Sequence, residues 1–232
     1  NFLSDGRVFA LLRSMPRKII PLSDTNPYHI SSRSSNRQPF PLEMRAMWEI
    51  FSEQLYYMSI IYGVEIHNFV LMINHYHMMA HFPEGNMSAA MQYLLREVTR
   101  LTNKYSKSIN HVFGQRFHRS LLSSYYYYLN AYKYVYQNPL RVYACPTVEE
   151  YPYSSLQMLI GKEKLHFPIY DSMFIEDTVD TLKWLNKIPD FHSMLAIKRG
   201  LRKTEFKISD MKSYDALYVD MKAKLITVSG KS

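Results

Sequence analysis

Residues 65–82 read EIHNFVLMINHYHMMAHF, and the fold turns on how this stretch divides. Residues 65–73 are rich in β-branched and aromatic side chains, Asn74 interrupts them, and HYHMMAHF resumes before Pro83-Glu84-Gly85-Asn86. Two such runs bounded by turn residues are neighbouring strands or one long bent strand. Either way His75 and His77 point to one face, about 6–7 Å apart along the chain. Two imidazoles so placed can share a metal ion, with Asn or carboxylate groups completing its shell. Taken alone, such a pair is more often a surface or hydrogen-bonded pair. His81 lies on the same face but about 13 Å beyond His77, too far for a third ligand. His67, ahead of a long apolar run, reads as structural.

Upstream, Met44, Met47, Trp48, Phe51, Leu55, Met58 and Tyr62 recur at three and four, a helix over 43–62 with one buried face that Gly63 ends. Residues 28–34 (YHISSRS) form a strand candidate, followed by a polar loop through Pro41. Downstream, Ser88 is placed to cap a helix to about Lys107. Its apolar stripe is Met91, Leu94, Leu95, Val98, Leu101 and Tyr105, and Arg96, Arg100 and Lys104 follow one another on another face at spacings of four. Residues 111–122 (HVFGQRFHRSLL) read as a strand with a basic edge, and 125–138 as a helix closed by Pro139. Alternating strands and helices around one antiparallel sheet make an α+β arrangement. Residues 1–14 read as a leader before a second possible start at Met15, residues 15–164 as the main domain, and 165–232 as an extension. A helix near 177–186 and a basic patch over 198–207 stand out in the extension.

The 232 residues carry a net charge of +8, with 15% aromatics and twenty Tyr. A basic balance favours an anionic partner, nucleic acid above all. Aromatics among Lys and Arg suit single strands, because bases stack on rings while phosphates meet cations. One Cys, Cys145, excludes a disulfide framework and a Cys-rich zinc site, and points to a reducing cytoplasm. No apolar run is long enough to span a bilayer.

A second constellation is Tyr132-Lys133-Tyr134-Val135-Tyr136-Gln137-Asn138-Pro139-Leu140-Arg141. On a helix Tyr134 and Asn138 sit one turn apart on one face, so a phenol and an amide carbonyl can approach one site together. Tyr132 and Tyr136 each lie roughly 200° around from Tyr134, so only one register can face the His pair.

Together these features resemble the HUH single-tyrosine transposases of the insertion sequence 200-like type, and within them the REP-associated branch. The resemblance runs from about Met15 to Ile160: MPRK (15–18), YHISSR (28–33), LMINHYHMMAHFP (71–83), FGQRF (113–117), YKYVYQNPLR (132–141) and EEYPYSSLQML (149–159). One departure is Leu140-Arg141-Val142-Tyr143, where the family usually continues Val-Arg-Ala-Gly.

The resemblance implies a ferredoxin-like antiparallel sheet with helices packed on it, and the extension completes the expectation as mostly helical. It makes His75 and His77 metal ligands, Asn138 the third ligand, with Gln137 ranked lower, and Tyr134 the nucleophile. The metal would be Mg²⁺ or Mn²⁺, and the product a 5′-phosphotyrosine link with a free 3′-hydroxyl. Arg33, Arg37, Arg96, Arg100, Lys104, Arg116, Arg119 and Arg141 are the expected DNA grip. The expected partner is hairpin-bearing single-stranded DNA, at REP-like ends, with the protein monomeric or homodimeric in a bacterial cytoplasm on the nucleoid. Two other readings stand beside it: a domesticated sequence-specific DNA-binding protein without transposition, and a metal-dependent hydrolase using the His pair and a bound water.

Overall fold

The computed structural model describes residues 23–109, 111–164, 166–171 and 178–208. The expected leader and the MPRK motif lie outside them. The first strand is β1 (Tyr28–Arg33), and α1 (Met44–Tyr62) follows. Gly63 closes α1 at φ 63°, a left-handed conformation in which a side chain would be strained. The 65–82 stretch then folds as two strands, β2 (Glu65–Met72) and β3 (His75–His81), paired antiparallel across a turn at Ile73-Asn74. Next come α2 (Met87–Ser106), β4 (His118–Leu121) and α3 (Tyr125–Tyr136). Strand order β2-β3-β1-β4, with every pairing antiparallel, is the ferredoxin-like arrangement expected.

The strand period sorts side chains onto two cores. Tyr76, Met78 and Ala80 of β3 join Tyr28, Ile30, Ile66, Phe69 and Leu71 beneath α1 and α2. His75, His77 and Met79 take the opposite face, where Met79 joins Val70 and Met72 under α3. A bulge between Ile66 and Asn68 makes this possible. Ile66 and Phe69 are an odd number apart and share a face only because one extra residue sits between them.

Three local expectations are corrected. Ser88 does not cap α2: Asn86 occupies the cap position, its Nδ2 donating to the Tyr62 carbonyl at 2.9 Å, and Ser88 lies inside the first turn. The strand expected over 111–122 shrinks to β4. Gly114 runs against Ser35, where an added Cβ would stand 3.0 Å from Ser35 Cα, and only a single bridge joins Phe113 to Ser34. The helix expected over 125–138 ends at Tyr136. It starts at Ser124, whose hydroxyl accepts from the Tyr127 N–H.

The chain continues through the short α4 (Leu156–Leu159) to α5 (Thr178–Asn186) and α6 (Phe191–Gly200). Both α5 and α6 pack on the α3 side through Trp184, Leu185, Ile197, Leu201 and Phe206. Residues 204–206 run beside β4: Leu121 N–H donates to the Thr204 carbonyl at 3.0 Å and Phe206 N–H to the Leu121 carbonyl at 2.9 Å. The extension thus covers an edge of the sheet that would otherwise be open. No described helix is long and apolar enough to cross a membrane.

Candidate active site

The His-bearing face of β3, the end of α3 and one side of α6 enclose a cleft of about 420 Å³. His75, His77, Tyr134, Asn138, Arg33 and Arg141 all line it, so residues far apart in sequence meet there.

Each His has one ring nitrogen tied down. His75 Nδ1 lies 2.7 Å from Asn74 Oδ1, and Asn74 Nδ2 in turn donates to the Arg37 carbonyl at 2.6 Å. His77 Nδ1 lies 2.9 Å from His29 Nε2. In both rings Nε2 has no hydrogen-bond partner among the described residues, and the ring centres are 5.1 Å apart. Burial, with Arg33 nearby, lowers the His75 pKa to about 4. Burial, then the neighbouring His29 and His75, holds His77 well below its usual value. Both imidazoles are therefore neutral near pH 7, the form that coordinates a metal.

Tyr134 faces this pair. Its ring centre is 5.5 Å from that of His77 and 6.0 Å from that of His29, both edge-on. The Arg141 guanidinium lies 4.0 Å over the Tyr134 ring. The rival tyrosines point elsewhere. Tyr132 donates to Asp171, and Tyr136 hydrogen-bonds Ser155 at 3.0 Å. Burial raises both phenols well above their ordinary pKa.

Asn138 follows the helix in a turn. Its Nδ2 donates to the carbonyls of Tyr134 at 2.8 Å and Val135 at 3.3 Å, which leaves Oδ1 as the amide atom without a described partner. Gln137 is committed to the extension, its Nε2 donating to the Leu185 carbonyl at 2.6 Å. His81 is held by Glu65 and the Asp24 carbonyl, and His67 by the Tyr128 hydroxyl. Among the described residues no three His, Cys, Asp or Glu side chains converge as a metal site. His75, His77 and Asn138 nevertheless bring two neutral imidazole nitrogens and one amide oxygen to the same cleft, donor types that suit a divalent ion with open positions.

The remaining expected cations are dispersed. Arg96 and Arg100 both pair with Glu97 on α2, at 3.0 and 2.7 Å, on the sheet face away from the His pair. Lys104 reaches over Tyr105 on the same helix. Arg116 and Arg119 line a separate hollow of about 650 Å³ with Phe117 and Gln92. Exposed Arg37 sits in the loop after β1.

The residue that sequence reasoning missed is His29. The strand period puts it on the same face as Ser31 and Arg33, a signal that was readable, but its pairing with His77 is a cross-strand neighbour relation. For His77 Nε2 to offer a lone pair, Nδ1 carries the hydrogen and donates to His29. His29→Phe removes that acceptor and frees the ring. If His77 holds a metal ion, the expected effect is a 10–100-fold loss of Mn²⁺ affinity by titration calorimetry, about what loss of a ligand's outer partner costs. Unchanged affinity would show that His29 does not orient His77.

The departure at 140–143 is local. Tyr143 takes φ 56° after a short 3₁₀ turn and is 95% exposed, so a side chain stands where the related pattern has Gly. This costs roughly 1 kcal/mol.

The chain matches no family profile and no curated protein at the sequence level. Its fold is that of a ferredoxin-like α+β protein with a His-lined cleft between the sheet, the end of α3 and α6. Among solved structures, a REP-associated tyrosine transposase bound to a REP hairpin has this fold. It superposes with a TM-score of 0.56 over 66% of this chain and 92% of that chain, at 14% identity.

Proposed function

We propose that this protein is a single-tyrosine DNA transposase that cuts and rejoins single-stranded DNA at hairpin-containing, REP-like ends. The carrying observation is that, of the three candidate tyrosines Tyr132, Tyr134 and Tyr136 on α3, Tyr134 alone lies against the His77 ring, 5.5 Å between centres, with a guanidinium over it. The shared fold of a transposase bound to a REP hairpin supports the same reading.

His75, His77 and Asn138 would hold Mg²⁺ or Mn²⁺, which when bound polarises a phosphate and offsets charge on its oxygens. Arg33 and Arg141 bring positive charge to the same cleft for the strand's phosphates. The Tyr134 oxygen attacks phosphorus, the bond from phosphorus to the 3′-oxygen breaks, and the phenolic proton leaves through solvent to the departing oxygen. Arg141 stabilises the phenolate character that develops on the way. The phosphotyrosine link retains an activated phosphate, so a second 3′-hydroxyl can displace Tyr134 without ATP.

The test is incubation with a hairpin-bearing oligonucleotide taken from DNA beside the gene, with Mg²⁺ or Mn²⁺. A covalent protein–DNA band that survives denaturing electrophoresis and disappears with EDTA is expected. Binding without a band would leave a DNA-binding protein that no longer transfers strands. A free 5′-phosphate product with no band would mean a hydrolase.

A further inference from the structure

The cleft wall opposite the His pair comes from the extension, and it is built. Phe191, Met194, Leu195 and Lys198 recur at helical spacing along one side of α6, and Arg202 continues the stripe just beyond it. The other side of α6 is buried through Ser193, Ile197 and Gly200. A Cβ on Gly200 would stand 2.5 Å from the Phe206 ring, so the helix is seated closely. His118 on β4 holds the Arg202 carbonyl at 3.0 Å, and residues 204–206 hydrogen-bond to the same strand. The helix therefore has a fixed position relative to the sheet.

On the exposed side of this wall, the Phe191 ring meets the neighbouring His192 ring edge-on, 5.9 Å between centres. Lys198 and Arg202 are exposed and their side chains form no ion pair among the described residues, and Phe191 is 66% exposed. Among the described residues no Asp or Glu lines the cleft. Of the basic stretch over 198–207, only Lys198 and Arg202 face it.

We infer that this side of α6 is a second strand-binding subsite, resting on the proposed strand-transfer function: it holds the single-stranded DNA next to the cut phosphate. Lys198 and Arg202 meet backbone phosphates, and a base stacks on Phe191 over Met194 and Leu195. The cleft is continuous from this wall to Tyr134, so a strand gripped here is delivered to the nucleophile. Cations next to an apolar and aromatic strip form the surface that single strands require, whereas an acidic protein partner would leave the ring unused.

The probe is a fluorescein-labelled, hairpin-bearing single-stranded oligonucleotide, its binding read by anisotropy across a salt series. Lys198→Ala/Arg202→Ala is expected to weaken binding on the order of tenfold at about 0.1 M salt and to flatten the logarithmic salt slope by about 1.4. Phe191→Ala is expected to weaken binding on the order of tenfold with the slope unchanged, because stacking releases no counterions. Both results together support the subsite. If either variant stays within twofold of the native protein, the subsite is overturned, while native binding and a metal-dependent covalent band would leave the proposed function standing. If the native protein does not bind the strand at all, both fall.

Discussion

Tyr134→Phe is expected to abolish the covalent protein–DNA band, a loss on the order of a thousandfold or more, while strand binding stays within about twofold. The variant removes one oxygen and keeps the ring that stands edge-on to His77 and His29. Arg141 keeps its place over the ring face, so the stability change is expected to be about 1 kcal/mol or less. Neither neighbouring tyrosine can take over. Tyr132 is fully buried against Tyr136 and Trp184 and bonded to Asp171, and Tyr136 is bonded to Ser155. Reaching the cleft would require turning the helix by about half a revolution, which would bury Tyr134 in their place. Burial also raises both of their phenols well above the ordinary value, which opposes the phenolate character an attack needs. Tyr132→Phe and Tyr136→Phe, assayed beside Tyr134→Phe, should retain the band. A band that persists in Tyr134→Phe would remove the proposed nucleophile.

The strands and long helices were legible because their periods are strong: α1 buries Met47, Trp48, Phe51, Leu55 and Met58 as the spacing requires. β4 was overread, since its run of apolar and basic residues does not show that Gly114 must pass against Ser35. The bulge that puts Ile66 and Phe69 on one face is likewise invisible to a strict period of two. At the site, the period put His75 and His77 side by side, but it could only say that one of Tyr132, Tyr134 and Tyr136 faces them. That choice is made by tertiary partners, Asp171 and Ser155, which draw the other two away. His29 and the α6 wall went unread for the same reason. A cross-strand neighbour and the surface on which an amphipathic helix docks are relations between segments, and no single segment records them.

The second large effect concerns the His pair, and the two residues should differ in a way that separates chemistry from folding. His75→Ala and His77→Ala are each expected to lower the metal-dependent covalent band on the order of a thousandfold, with Mn²⁺ binding lost in calorimetry. Their stabilities should diverge. His77 is 7% exposed, and its removal leaves His29 Nε2 unpaired beside a His29 Nδ1 that already lacks a partner. A newly unpaired buried nitrogen and an unfilled space cost about 1–3 kcal/mol, visible as a lower thermal midpoint. His75 sits at the start of β3, half-buried, and its bonded neighbour Asn74 remains anchored to the Arg37 carbonyl. His75→Ala should therefore melt within about 1 kcal/mol of the native protein and still fail to form the band. That combination, intact fold with lost metal binding and lost adduct, cannot arise from misfolding, and it makes His75 the cleaner probe. A His75→Ala protein that still formed a Mn²⁺-dependent band would mean that the ion is held elsewhere, and that the neutral imidazoles beneath Tyr134 serve only to pack its ring.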